Sequence, residues 1–342
     1  MDQMKQNLLE IKDLSAIYRT ETGTVLALSH VCLNIARKEN FGLVGESGCG
    51  KSTLLKTIIN VIPENAAVTA GEIRFDGINL LALPEEEIRK IRWERISMIT
   101  QSAMNALDPV YKVGDQIYET VRAHQNISHK AFLEKLNKMF SLVGVSTKRY
   151  NEFPHQFSGG MRQRAIIAMS LILEPDLVIA DEPTTSLDVI VQDQIFKNIR
   201  ELQKLLGFSM LLVTHDIALV VENCDRIGVM YGGQMMEIGN THQVVKESYH
   251  PYTMGLKHSF PNINDLAADL ISIPGSPPEL KGNLKGCRFA ERCPFRLQIC
   301  FENEPLLSEV LTGHWAACHR SHEVHQLRTL SARSDTWINA MK

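Results

Sequence analysis

Eight residues, Gly45-Glu46-Ser47-Gly48-Cys49-Gly50-Lys51-Ser52, constrain this chain more than any other stretch. They fit G-x-x-x-x-G-K-[ST] in full, follow the apolar run Phe41–Val44 and open a helical run, Lys51–Asn60. That strand–loop–helix context is what the motif requires. Its glycines let successive backbone N–H groups turn inward around phosphate oxygens, and the helix N-terminus adds positive potential there. Lys51 is placed to reach the terminal phosphates of a nucleotide, and the Ser52 hydroxyl to ligate Mg²⁺. Cys49, inside the loop, reads as a small spacer rather than a redox group.

A second acidic element fits the first. Leu177-Val178-Ile179-Ala180 runs directly into Asp181-Glu182. An apolar strand ending in two carboxylates suits metal-assisted phosphoryl transfer, one holding Mg²⁺ and the next orienting the attacking water. Alone it would be a helix cap or turn; beside the loop at 45–52 it reads as nucleotide hydrolysis machinery. Strands are expected at Leu8–Leu14, Val31–Ile35, Phe41–Val44, Glu72–Phe75, Ile96–Ile99, Leu177–Asp181, Met210–Val213, Ile227–Tyr231 and Gln234–Ile238. The runs at 41–44, 177–180 and 210–213 lack alternation, as central strands covered on both faces do. Val191–Leu206 carries Ile195, Phe196, Ile199, Leu202, Leu205 and Leu206 on one helical face, with Gly207 as its stop. A helical block follows from about 114 to 170, with Phe132, Leu133, Leu136, Met139, Phe140 and Val143 at helical spacing.

Composition narrows the class. At 342 residues and about 150 per domain, two domains are expected, with three the alternative. Lys plus Arg total 36 against 39 Asp plus Glu, which argues against a mainly electrostatic nucleic-acid binder. The longest apolar run, Ala165–Leu173, contains Ser170 and falls far short of the roughly 20 residues a bilayer span needs. Met1–Glu10 is charged and does not resemble a secretory signal. A reducing cytosol is therefore the expected compartment. Four of seven cysteines, seven of thirteen prolines and seven of twelve histidines lie beyond residue 239, so the last hundred residues need their own explanation.

Phe157-Ser158-Gly159-Gly160-Met161-Arg162-Gln163-Arg164 opens a helix with Ser158 as a good N-cap and two glycines baring backbone N–H groups. A single chain needs no second phosphate cradle unless it completes another chain's site. Here the chain resembles the ATP-binding cassette ATPases, whose signature loop has this form. Phe157 and Met161 replace the family's usual leucine and glutamine, a variant similar to the peptide-importer branch. The resemblance implies an α/β P-loop NTPase cassette, a RecA-like mixed-sheet core with a helical subdomain at about 102–170. ATP would contact Tyr18, through its ring on adenine, and Gly45, Ser47, Gly48, Cys49, Gly50, Lys51, Ser52 and Thr53. Mg²⁺ would be held by Ser52, Gln101 and Asp181, with Glu182 catalytic and His215 as the switch histidine near the terminal phosphate. Ser186-Leu187-Asp188 matches the loop crossing the dimer interface. Two cassettes would sandwich ATP between one phosphate loop and the partner's Ser158, Gly159 and Gly160. The partner is then a second copy or a related chain.

Cys287, Cys293, Cys300 and Cys318 are spaced C-x5-C-x6-C-x17-C. Disulfides are not expected in a reducing cytosol, and the tight pair usual for structural zinc is missing. The spacing leaves an iron–sulfur cluster, zinc and unliganded thiols open. His250-Pro251-Tyr252-Thr253, Pro274–Pro278, Gly286-Cys287-Arg288-Phe289 and Arg292-Cys293-Pro294 resemble the tail of dipeptide/oligopeptide importer ATPases, which implies a [4Fe–4S] cluster on the four cysteines, with zinc the alternative. His314 and His319 could substitute as zinc ligands but read as solvated surface histidines. Cys32 and Cys224 read as buried core thiols.

The expected layout is a nucleotide-binding cassette at 1–240 and a small cysteine-containing extension at 241–342. The resemblance implies an ATP-hydrolysing importer subunit, peripheral at the cytoplasmic face of the membrane. It would drive two membrane permease subunits, docked on the helical block that includes Asn105–Val110, and be served by an extracellular solute-binding protein. Asp108 stands where the branch more usually has Asn. Di- and oligopeptides are the expected cargo; relatives that move nickel or oligosaccharides are the alternative. A soluble repair or translation ATPase fits less well, since such chains usually carry two cassettes or long coiled-coil insertions, and no nucleic acid is expected.

Overall fold

The computed structural model describes residues 6–100, 106–184, 188–259, 271–282 and 284–339. The chain divides into two compact units. One comprises Met1–Leu8, Ala36–Glu39 and Ala82–Val213; the other comprises Leu9–Ile35, Asn40–Leu81 and Thr214–Lys342.

The first unit is built on parallel strands. Ile96–Ile99, Leu177–Asp181 and Ser209–Thr214 pair side by side, with Ile96 opposite Leu177 and Asp181 opposite Val213. Residues Leu177–Ala180 and Ser209–Thr214 are buried throughout, as unalternating runs covered on both faces must be. The helices Val113–Arg122, His129–Leu142, Gly159–Leu171 and Val189–Leu206 supply its apolar packing. Phe132, Phe140 and Phe196 are at most 1% exposed, each burial contributing about 1.5–3 kcal/mol. The stripe expected on 191–206 holds at Ile195, Phe196, Ile199 and Leu202, but Leu205 lies at its edge and is exposed. Gly207 ends that helix at φ 76°, a conformation glycine adopts without a Cβ penalty.

The second unit carries two sheets. Asn7–Thr20 lies between Gly23–Ala36 and the antiparallel partner Ala66–Phe75, which also pairs with Ile78–Asn79. In the other, Asn40–Val44 pairs in parallel with Arg226–Tyr231, which turns through Gly232 and Gly233 onto the antiparallel strand Gln234–Asn240. That strand pairs with His314–Ala316, itself paired with Ser308–Leu311. Residues beyond 240 therefore continue a sheet that begins with the strand before the phosphate loop. Among the described residues, no helix is long and apolar enough to cross a membrane.

Two expectations fail here. Cys32 is exposed rather than buried. The strand Gly23–Ala36 alternates at this point, placing Val31 and Leu33 inward and Cys32 outward, where its sulfur accepts a bond from the Asp13 N–H at 3.2 Å. His314 is no surface histidine but fully buried, its Nε2 2.7 Å from Glu237 Oε1. Strand pairing with Gln234–Asn240 carries it inward. Cys224 is buried as expected.

Candidate nucleotide site

The fully buried strand Asn40–Val44 delivers the chain into the loop at 45–50, and the helix Lys51–Ile58 begins directly after Gly50. Two glycines are required by space. A Cβ on Gly45 would lie 2.1 Å from the Met230 carbonyl oxygen, and one on Gly50 would lie 2.6 Å from that of Ala27. The Lys51 ammonium donates to the carbonyls of Gly45 (2.6 Å) and Glu46 (2.9 Å) and touches Cys49 Sγ at 3.6 Å. Burial raises the Cys49 thiol above its usual range, so it stays protonated and uncharged. The Tyr18 hydroxyl lies 3.4 Å from Thr53 Oγ1, bringing the expected adenine-stacking ring beside the first turn of the loop's helix. Ser52 is exposed. His215 is also exposed and belongs to the same unit. It follows the strand Ser209–Thr214 and precedes Asp216, which caps the helix Ile217–Asn223.

In the other unit, Asp181 ends its strand and Glu182 adopts φ 44°. A left-handed glutamate stores backbone strain of order 1–3 kcal/mol, as functional positions often do. Its N–H donates to the Val213 carbonyl at 2.8 Å. The segment that follows is tied to the signature helix, because buried Gln163 donates through Nε2 to the Pro183 carbonyl at 2.5 Å. Ser158 caps that helix by accepting from the Met161 N–H at 3.4 Å, and Phe157 before it is buried. Asp188 caps the helix Val189–Leu206 through the Val191 N–H at 2.9 Å. One unit thus holds Tyr18, the phosphate loop, Thr53 and His215; the other holds Ser158, Gly159, Gly160, Asp181, Glu182 and Asp188. Gln101, Asn105, Ser186 and Leu187 lie outside the described residues.

The four cysteines beyond 280 come together. Cys287, Cys293, Cys300 and Cys318 line one small cavity, of about 20 Å³, with His250, Phe289 and Phe295. Burial pushes the thiols of Cys287 and Cys318 up to about 12 and about 11, and that of Cys293 well up. Thiolates there need a cationic partner to offset desolvation. No group of three or more His, Cys, Asp or Glu that could hold a metal ion occurs among the described residues, so the expected cluster or zinc on these cysteines finds no support there.

Contacts between this segment and the phosphate loop escaped sequence reasoning. Arg292 forks onto the Glu46 carboxylate at 2.7 and 3.1 Å. The Tyr252 hydroxyl accepts from the Glu46 N–H at 2.9 Å. Behind them Tyr231, Tyr252 and Phe289 pack with ring centroids 4.6–5.3 Å apart. No local pattern marks residues 246 positions apart as partners. The only available signal was an acidic residue inside a phosphate loop, which calls for a neutralising cation. A second node lies at buried Glu237, which accepts from the N–H groups of Tyr249 (2.7 Å) and His250 (3.0 Å) besides facing His314.

Comparisons with known proteins agree with the motifs. The ABC transporter family matches residues 28–185, and the oligopeptide/dipeptide transporter C-terminal region matches 236–300. A probable peptide ABC transporter ATP-binding protein of Sinorhizobium fredii is 44% identical over 324 residues, 94% of this chain and 97% of that protein. The dipeptide transport ATP-binding protein DppD of Bacillus subtilis is 44% identical over 298 residues, 86% and 89% of the two chains. Among solved structures, a dimeric ATP-binding cassette in a post-hydrolysis state bound to ADP and Pi superposes with a TM-score of 0.61 at 27% identity, covering 68% of this chain and 98% of that one. The chain belongs to the ATP-binding proteins of the oligopeptide/dipeptide ABC transporter family, and its cassette is that of an ATPase.

Proposed function

We propose that this chain is the ATP-hydrolysing subunit of an importer of di- and oligopeptides, paired with a second cassette. It works at the cytoplasmic face against two membrane permease subunits that receive solute from an extracellular binding protein. The observation that carries this reading is the joining of a complete phosphate loop to a peptide-transporter extension in one chain, aligned over 94% of its length with a probable peptide ABC transporter ATP-binding protein. The cassette occupies residues to about 240 and the extension the remainder.

In this reading the amides of Ser47–Lys51 and the Lys51 ammonium hold the ATP phosphates, with Lys51 exchanging loop carbonyls for phosphate oxygens. Tyr18 stacks on the base, and Thr53 supports it. Ser52, Gln101 and Asp181 would supply the oxygen donors for Mg²⁺, a donor set suited to a hard cation, and the ion would screen the charge developing on the phosphates. Glu182 orients and deprotonates the attacking water, and His215 fixes the terminal phosphate. Ser158, Gly159 and Gly160 serve the partner's nucleotide, with Asp188 beside the shared face. Replacing Glu182 by Gln is expected to slow hydrolysis about 10²–10⁴-fold while ATP is still bound. A fully active Glu182→Gln enzyme would overturn the assignment.

A [4Fe–4S] cluster on Cys287, Cys293, Cys300 and Cys318 rests on the four thiols lining one cavity. Such a cluster would cross-link the extension from Cys287 to Cys318. Anaerobically purified protein is expected to contain about four iron and four acid-labile sulfide per chain; one zinc per chain and no iron would refute the cluster.

A further inference from the structure

The extension does more than accompany the cassette: it grips the first variable residue of the phosphate loop. Arg292 is 6% exposed at its side chain, and each of its five N–H donors has an acceptor. Nε donates to the Pro274 carbonyl at 2.8 Å. One terminal nitrogen donates to Glu46 Oε2 at 2.7 Å and the Tyr231 hydroxyl at 3.0 Å. The other donates to Glu46 Oε1 at 3.1 Å and the Ile273 carbonyl at 3.2 Å. A guanidinium satisfied in this way has one rotamer available to it, so it acts as a fixed jaw. The Tyr252 hydroxyl takes the Glu46 N–H at 2.9 Å, and the Glu46 carbonyl accepts from Lys51. Glu46 therefore stands between the extension and the phosphate-binding lysine.

The chemistry of the loop makes this pair more than a staple. A loop that must receive a polyphosphate carries a carboxylate at its second position, and that charge would repel the ligand if left alone. The bidentate Arg292 cancels it. We propose that Arg292 is a positioning residue for nucleotide binding, acting through Glu46 to cancel the loop's carboxylate charge and hold the loop fixed. This rests on the reading of residues 45–52 as the ATP site.

The test uses the full-length chain and a fluorescent ATP analogue with Mg²⁺, titrated against wild type, Arg292→Met, Glu46→Gln and the double variant, with melting curves alongside. Arg292→Met is expected to weaken binding about tenfold or more, because it orphans a carboxylate beside the phosphates. In Arg292→Met/Glu46→Gln that charge is gone, and affinity is expected to return to within about threefold of wild type. The melting temperature should remain lowered, since the acceptors on Tyr231, Ile273 and Pro274 stay unpaired in both. Affinity and stability thus separate, which a purely structural arginine would not allow. Arg292→Lys, which keeps the charge but loses the fork, is expected to fall between the extremes. Wild-type affinity in a folded Arg292→Met protein, or a double variant as weak as the single, overturns the proposal. Should Arg292→Met not fold, Glu46→Ala opens the same pair from its 25% exposed side. Amide exchange across 45–51 is then expected to quicken at least tenfold, and unchanged exchange overturns the proposal. A wild-type chain that binds no nucleotide, or Lys51→Ala binding as wild type does, takes down the reading of the loop as well. Loss of binding in Lys51→Ala with full binding in Arg292→Met removes this inference alone.

Discussion

His250 offers a direct test of how the extension is packed. It is 1% exposed and caps the helix Pro251–His258, its Nδ1 accepting from the Tyr252 N–H at 3.0 Å. Its backbone N–H donates to Glu237 Oε2 at 3.0 Å. An imidazole held as an acceptor in a desolvated site must stay neutral, and burial pushes its pKa down from 6.5 to about 3. The folded state therefore binds fewer protons than the unfolded state wherever pH lies between those values. The stability this group permits is full above 6.5 and is lost progressively as pH falls toward 3. With an unfolded pKa near 6.5, protonation of the unfolded chain is worth less than about 0.1 kcal/mol at pH 7.5 and about 1.4 kcal/mol at pH 5.5. His250→Asn removes the titration but keeps a side-chain acceptor suited to a helix N-cap. The variant starts less stable, having lost the ring packed 5.9 Å from Phe289. The slope, not the starting value, carries the information. Urea unfolding at pH 7.5 and 5.5 can be followed by the fluorescence of Trp315 and Trp337, which lie in the same unit as His250. Wild type should lose about 1.4 kcal/mol more than the variant between the two conditions. Equal losses would show that His250 is protonated in the folded protein, and the account of its burial would fail.

Two other substitutions separate the parts of the site. Gly45→Ala forces a carbon to 2.1 Å from the Met230 carbonyl oxygen; the loop must shift, and ATP turnover is expected to fall about 100-fold with the circular dichroism spectrum preserved. Gln163→Leu strands the Pro183 carbonyl that follows Glu182; the cost in stability is about 1–3 kcal/mol. Turnover should drop about tenfold through misplacement of that segment, with nucleotide affinity within about twofold of wild type in a binding titration.

The strands Ile96–Ile99 and Leu177–Asp181 were legible residue for residue, because a buried parallel strand is a bare apolar run with turn residues at both ends. The phosphate loop was legible because its glycines answer steric demands that act within a few residues. The start of Gly23–Ala36 was not, since none of its first four residues is buried. Cys32 and His314 were misplaced for the same reason: the face of a strand that turns inward depends on its neighbours, which local sequence does not reveal. The pairing of Arg292 with Glu46 lay furthest from view. Each is unremarkable in its own segment, and only the folded chain gives one a reason to need the other.

The strand His314–Ala316 has a consequence beyond its role in packing His314. Without it, Gln234–Asn240 would be an open border of the sheet, a row of unpaired donors and acceptors inviting other chains to add themselves. With it, the border passes to Ser308–Leu311, which is only four residues long, largely exposed and broken by a register shift after Glu309. Short, polar and irregular strands make poor templates. The extension thus gives the cassette a finished margin, and a chain trimmed near residue 240 in search of a minimal ATPase would expose an adhesive one.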